Sequence, residues 1–277
     1  MKKTVLFLFF VLLFFACSSN QSQRHESSGK RIISLAPSLT KSLYWLEAQE
    51  MIIGKTSFCM DIENAVIVAS VITPNIERIV ALQPDIVITT GTLTSVESIA
   101  TLRRLGIEVL IFDTARSFDD LCSQFIQLGE LIDQEEKAKE IVRRNKERVE
   151  QVTEKIQNFV DAAPNVFFQI GANPIFTVLP NTFMDDYIRF LGGRNIAEHL
   201  SRGTVGREFV LSHNPDYIFI AIQEGVDDEE KREWSRHSQL SAVQNNRIFT
   251  IDPNIACLPM LVTFADTMEI IYSLISN

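Results

Sequence analysis

The chain has 277 residues, 46% of them hydrophobic, with 26 lysines and arginines against 35 aspartates and glutamates and a formal charge of −9. That balance repels a phosphate backbone and excludes nucleic acid as a partner, while the apolar fraction is that of a folded chain with a buried core. The length admits one large domain or two of ordinary size.

In chain order, residues 1–16 join two lysines to an unbroken apolar run, too short and one-sided for a comfortable transmembrane helix, and read as an export signal. The run ends in Phe14-Phe15-Ala16-Cys17-Ser18-Ser19, a bulky-bulky-small-cysteine order that resembles a bacterial lipobox. Cys17 is then the expected lipidation site and first mature residue. Acyl chains contribute about 0.8 kcal/mol per buried methylene, so several would anchor the protein to a membrane on the extracytoplasmic side of the cell envelope. The alternative is an ordinary signal peptide cut elsewhere, with Cys17 a bystander. Removal of Lys2 and Lys3 takes the formal charge from −9 to −11. Residues 17–29, small and polar, are expected to be a flexible tether. Cys59, Cys122 and Cys257 follow, an odd set that allows one intrachain disulfide at most, so disulfides are not the framework.

From residue 30 short apolar runs alternate with amphipathic segments. Strands are predicted over 31–35, 65–70, 85–90 and 108–113. Helices are predicted from the Pro37-Ser38 turn through Leu39, Leu43 and Leu46, over 74–82 and over 94–105. Strands apolar throughout and separated by helices predict a mainly parallel sheet covered on both faces. From Ser117 to about Val160 the text is charged and free of proline, with apolar residues recurring every three or four positions, and it predicts long helix. A helix of about 25 residues spans roughly 40 Å, enough to cross between lobes. After Pro164 the alternation restarts, with strands over 165–171, 216–223 and 246–252 and helices over 182–193 and 258–276. The fold class expected is therefore two three-layer α/β lobes, 30–133 and 162–277, joined by one long helix, 134–161, with a ligand cleft between them.

Two stretches repeat a pattern. In "IERIVALQPDIVITT" and "REFVLSHNPDYIFIA", Glu77 and Glu208 each stand seven residues before a Pro-Asp pair, Pro84-Asp85 and Pro215-Asp216, that opens an apolar run. The Pro-Asp pairs read as punctuation: proline ends the helix and aspartate turns the chain into a buried strand. Each glutamate sits where it would favour a helix N-terminus, worth about 0.3–1 kcal/mol.

Together with "RIISLAPSLTKSLYWLEAQEMIIGKTSFC", "LGGRNIA" and "LSAVQNNRIFTID", these stretches resemble, in order and over essentially the whole mature chain, the class III periplasmic binding proteins. Those are solute receptors of ABC importers for vitamin B12, ferric siderophores and haem. The resemblance implies a monomeric receptor with no intrinsic cofactor, a metal chelate as ligand, and a permease dimer with its ATPase as partner. It also implies that Glu77 and Glu208 dock onto the two permease subunits, one charged anchor per lobe fixing the register. Ligand contacts are expected on loops after the strands: Pro37, Ser38, Phe58, Cys59 and Gly91 in the first lobe, Asn173 and Arg202 in the second. The chain departs from its relatives there. Corrinoid binders commonly present tryptophan or tyrosine from these loops and siderophore binders arginine or tyrosine, whereas this chain offers Phe58 and Met60 on one side and Arg202, with Arg207 weighed beside it, on the other, and Trp45 and Trp234 fall on predicted helices.

Other chemistries are weighed against this one. The four histidines show no HxH or HxxxH spacing, although His199 could ligate haem. Cys59 and Cys257 could pair across the cleft or ligate cobalt or iron. An anchored enzyme is the competing class, but no Gly-x-Ser-x-Gly, P-loop or HExxH motif is present, and Asp185-Asp186 reads as a solvated pair, so no enzyme is expected. A binding fold reused for sensing or protein interaction without transport is the further alternative.

Overall fold

The computed structural model describes residues 29–70, 73–91, 94–160 and 163–276. The export segment 1–16, the lipidation site Cys17, nearly all of the tether, and Thr92 lie outside the described residues.

The first lobe contains β1 (Ile32–Ser34), α1 (Pro37–Trp45), β2 (Ile52–Thr56), β3 (Val66–Ala69), α2 (Ile76–Ala81), β4 (Ile86–Thr90), α3 (Val96–Arg104) and β5 (Glu108–Phe112). Its sheet has the order β3-β2-β1-β4-β5 and every pairing is parallel. All strands therefore end on one edge, and the loops that follow them gather there. Local chemistry starts the helices where they are needed: Asn75 accepts from Arg78 N, Ser95 from Ser98 N and Ser117 from Asp120 N, each side chain satisfying an otherwise orphaned backbone donor.

The charged segment forms two helices, α4 (Phe118–Leu131) and α5 (Glu135–Ile156). The break falls at Asp133, whose φ of 58° is left-handed and incompatible with a continuing helix. Gly129 lets the two helices approach: a Cβ there would lie 2.4 Å from Ala138 Cβ.

The second lobe contains β6 (Asn165–Gly171), β7 (Ile175–Thr177), α6 (Asp185–Phe190), β8 (Arg194–Asn195), β9 (Thr204–Val205), α7 (Arg207–His213), β10 (Tyr217–Ile220), α8 (Val226–Ser235), α9 (Ser241–Gln244), β11 (Ile248–Thr250), α10 (Pro253–Ala256) and α11 (Leu261–Ser276). Its sheet runs β11-β10-β6-β7-β9, with β8 also on β6. The β11, β10, β6 and β8 pairings are parallel, while β7 and β9 add an antiparallel edge.

One continuous apolar cluster spans the molecule. It takes in Ile32 and Ile88 from the first sheet, Leu121, Phe125 and Val149 from α4 and α5, Phe168 and Phe219 from the second sheet, and Phe264 from α11. Across the seam Phe118 stacks on Phe264 at 4.6 Å, and Phe118 N donates to the buried Asp186 Oδ2 at 2.7 Å. On the outer side of α5, Arg148 bridges to Asp266 and Glu269 of α11, each at 2.7 Å. The lobes thus share a core instead of meeting at a wet, easily parted surface.

Candidate functional site

A cavity of about 320 Å³ opens between the strand-end loops of the first lobe and the 258–259 segment of the second. Leu35 enters it from the β1–α1 turn, Pro37 and Ser38 from the start of α1, Thr56 from the end of β2, Phe58 from the loop after it, and Thr90 from the end of β4. Asp113, Thr114 and Ala115 come from the loop after β5, Gln124 from α4, and Leu258 and Pro259 close it from the second lobe. The walls are mostly apolar, and Phe58 is 64% exposed, an aromatic face held open to a partner. A more open hollow of about 840 Å³ lies at the ends of β10 and β11, among Gln223, Glu224, Asp227, Asp252 and Asn254.

Several local devices set the cavity's shape. Pro37 begins α1 without costing a hydrogen bond, and Ala36 at the N-cap offers no side-chain acceptor, so the first N–H groups of α1 face the turn that borders the cavity. Lys55 is buried beneath the loop that bears Phe58. Its Nζ donates to Met60 O at 2.9 Å and to Asp61 Oδ1 at 3.0 Å, stapling that loop to β2. Gln124 Nε2 donates to Asp113 O at 2.6 Å and fixes the β5–α4 connection.

Of the sequence-predicted ligand residues, Pro37, Ser38 and Phe58 line the cavity. Gly91 follows the lining residue Thr90 and is exposed. Cys59 is buried behind the loop, with its Sγ 3.0 Å from Thr40 Oγ1 and 3.3 Å from Thr56 Oγ1. Asn173 and Arg202 are exposed, one beside the β6–β7 turn and one before β9, and line neither hollow. Asp113, Thr114 and Gln124 went unnamed in the sequence; the rule that found the other loops, applied to the end of the 108–113 strand, points to Asp113 and Thr114.

One expectation, that Asp185-Asp186 is a solvated pair, needs correction, and two alternatives weighed in the sequence are not realised. Cys59 and Cys257 are both free thiols, so they do not pair; Cys257 Sγ instead faces Ala221 O at 3.7 Å, and burial pushes its pKa up to about 11. Asp185-Asp186 is no solvated pair. Asp186 is buried, joins Arg189 at 2.9 Å and accepts from Phe118 N, and desolvation raises its pKa, while Asp185 Oδ1 accepts from Asn195 Nδ2 at 2.7 Å. Arg207, weighed as a cleft cation, is committed elsewhere: its Nη2 contacts both oxygens of the buried Glu230, at 2.8 and 2.9 Å, and the guanidinium stacks 4.6 Å from the fully buried Trp234. Gln169 completes that network, donating to Glu230 Oε2 at 3.0 Å and accepting from Trp234 Nε1 at 2.7 Å.

Glu77 and Glu208 occupy corresponding places, each exposed in the first turn of a short helix, α2 or α7. Neither carboxylate has a cationic partner among the described residues. His199 is exposed and meets only Glu198, and no cluster of three or more potential metal ligands occurs among the described residues.

This geometry coincides with a family pattern: residues 32–255 match the model described as periplasmic binding protein. The chain belongs to that family. It is a class III extracytoplasmic solute-binding protein, a non-catalytic transport component, and lipid anchoring outside the cytoplasm is typical of the group. Among known relatives, the ABC transporter substrate-binding lipoprotein YvrC of Bacillus subtilis is 27% identical over 247 residues, 86% of this chain and 77% of its own. The vitamin B12-binding protein of Vibrio parahaemolyticus is 24% identical over 228 residues, 80% of this chain and 81% of its own. A possible iron-binding periplasmic solute-binding protein of Staphylococcus epidermidis superposes with a TM-score of 0.75 at 25% identity, covering 88% of this chain and 99% of that one.

Proposed function

We propose that this solute-binding protein captures a metal chelate, a corrinoid, ferric siderophore or haem, in the interlobe cavity and delivers it to the permease of an ABC importer. The cavity carries the reading. It is apolar and concave, at the lower end of the roughly 300–1,000 Å³ usual for small-molecule sites, and so suited to one face of a large flat or globular chelate. Phe58 supplies the stacking surface in place of tryptophan or tyrosine, with Pro37 and Ser38 on the facing turn and Gly91 at the rim. Cys59 acts from behind, holding the Phe58 loop. Names of relatives that specify vitamin B12 or iron lie within the same ligand class.

Glu77 and Glu208, exposed and unpaired, are the docking anchors for the two permease subunits. A membrane anchor through Cys17 would keep the monomeric receptor within reach of them. Titration of the full chain in detergent micelles against cyanocobalamin, haem and ferric hydroxamates, followed by tryptophan fluorescence, tests the ligand class. Micromolar or tighter binding of at least one, weakened by Phe58→Ala, is expected; no binding of any would overturn the reading.

A further inference from the structure

We propose that the cavity selects by charge: it accepts neutral or cationic chelates and turns away those bearing carboxylates or other clustered anions, with Asp113 as the specificity-determining residue. This rests on the chelate-capture reading and narrows it.

Among the described residues, Asp113 is the single ionisable side chain in the cavity wall. It is exposed and has no cationic partner. The rest of the wall is hydrocarbon or hydroxyl, from Leu35, Phe58 and Leu258 to Ser38, Thr90 and Thr114. The one amide, Gln124, already spends its Nε2 on Asp113 O. The more open hollow at the ends of β10 and β11 has the same character: its charged residues are Glu224, Asp227 and Asp252, and no lysine or arginine is among its described lining residues. Asp227 and Asp252 accept from backbone N–H groups of their own turns, which leaves their negative charge in place. The nearest cation along the chain, Arg116, follows Ala115 but does not belong to the lining.

A ligand anion entering this cleft would displace the water that screens it from Asp113 and find no counter-charge, and screening between charges in such a setting is weak. The opposing feature is the uncapped start of α1 at Pro37 and Ser38, which carries about half a positive charge. Its N–H groups are satisfied equally by a neutral carbonyl oxygen, and half a charge does not cancel the full one on Asp113. The combination favours ligands whose outer groups are amide or hydroxamate oxygens, on a metal complex with no net negative charge.

The test uses the full chain in detergent micelles, wild type and Asp113→Asn and Asp113→Lys, with dissociation constants measured for cyanocobalamin (neutral), ferrioxamine B (cationic), haem and ferric enterobactin (both anionic). Wild type is expected to hold a neutral or cationic probe at least about tenfold tighter than either anionic one. Asp113→Asn should narrow that ratio by about threefold, and Asp113→Lys should narrow it further, with ferrioxamine B losing most. A preference of the wild type for haem or ferric enterobactin overturns the inference and leaves chelate capture standing. So does a ratio unmoved by both substitutions in variants whose circular dichroism and thermal melting match wild type. If no chelate binds, chelate capture itself falls and the inference falls with it.

Discussion

Asp85 and Arg31 bind each other twice: Asp85 N donates to Arg31 O at 2.9 Å, and Arg31 N donates to Asp85 Oδ2 at 2.7 Å. In the second lobe Asp216 and Asn165 repeat the pair at 2.8 and 2.9 Å. Each Pro-Asp sequence is therefore a clip that sets the register between a lobe's first strand and the partner strand the aspartate introduces. Asp216 is half-buried and also accepts from Ser241 Oγ at 2.9 Å, whereas Asp85 is exposed. Asp216→Ala should cost about 1.5–3 kcal/mol and Asp85→Ala about 0.5–1.5 kcal/mol in urea unfolding. Equal losses would show that burial does not set the difference.

Removing Glu230 leaves Arg207 without its counter-charge and takes one of two acceptors from Gln169 Nε2, which keeps Gly171 O at 3.0 Å, while Arg207 Nη1 already lacks a hydrogen-bond partner. Glu230→Ala should destabilise by about 3–5 kcal/mol and red-shift the emission of Trp234, while Glu230→Gln, whose single amide oxygen in the place of Oε2 still accepts from Arg207 and Gln169 although its NH2 then faces Arg207 Nη2, should cost less. Thermal melts and fluorescence spectra of the two variants provide the comparison.

Glu77→Ala and Glu208→Ala should leave chelate affinity unchanged and lower uptake in cells, the double variant more than either single one. Each removes one of the two proposed permease anchors and no residue that lines the cavity. Intact uptake in the double variant would refute the docking assignment.

Burial holds the Asp186 carboxyl above the ordinary aspartate range. Between the unfolded and the folded pKa the native state binds more protons, so this group's contribution to stability falls as pH rises through that window. Asp186→Asn removes the titration and keeps an acceptor for Phe118 N. Its stability relative to wild type should therefore increase as pH is raised from about 4 to 6 in denaturant titrations. The carboxylates of Glu140, Glu198 and Glu269, held low by Arg143, Arg194 and Arg148, act oppositely in both forms, losing their contribution as pH falls below about 4. They cancel in the comparison.

Strands with uninterrupted apolar runs, such as Ile86–Thr90 and Asn165–Gly171, were legible because their period and flanking turns agree. β2 was not, since "IIGKT" places a glycine and a lysine in its middle. Gly54 is there because a Cβ would come within 3.0 Å of Ile33 Cγ1, and Lys55 because its amine reaches the loop above. β7 and β9 are too short to leave a periodic signal. In the site, loop positions were legible from strand ends, but burial was not. That is why Cys59 reads as a contact and stands behind the wall, and why Arg207 reads as a cleft cation and serves the core.

The shared core has a thermodynamic meaning. Phe118, Asp186, Tyr187 and Phe264 close the seam only when α4, α6 and α11 are all in place, with Tyr187 and Phe264 stacked at 4.5 Å. Melting either lobe would bare the other's half of that aromatic stack, so intermediates with one lobe folded are disfavoured and the two halves should unfold in a single cooperative transition. For a receptor working outside the cytoplasm, where proteases act on partly opened chains, all-or-none unfolding leaves few half-open forms to be cut.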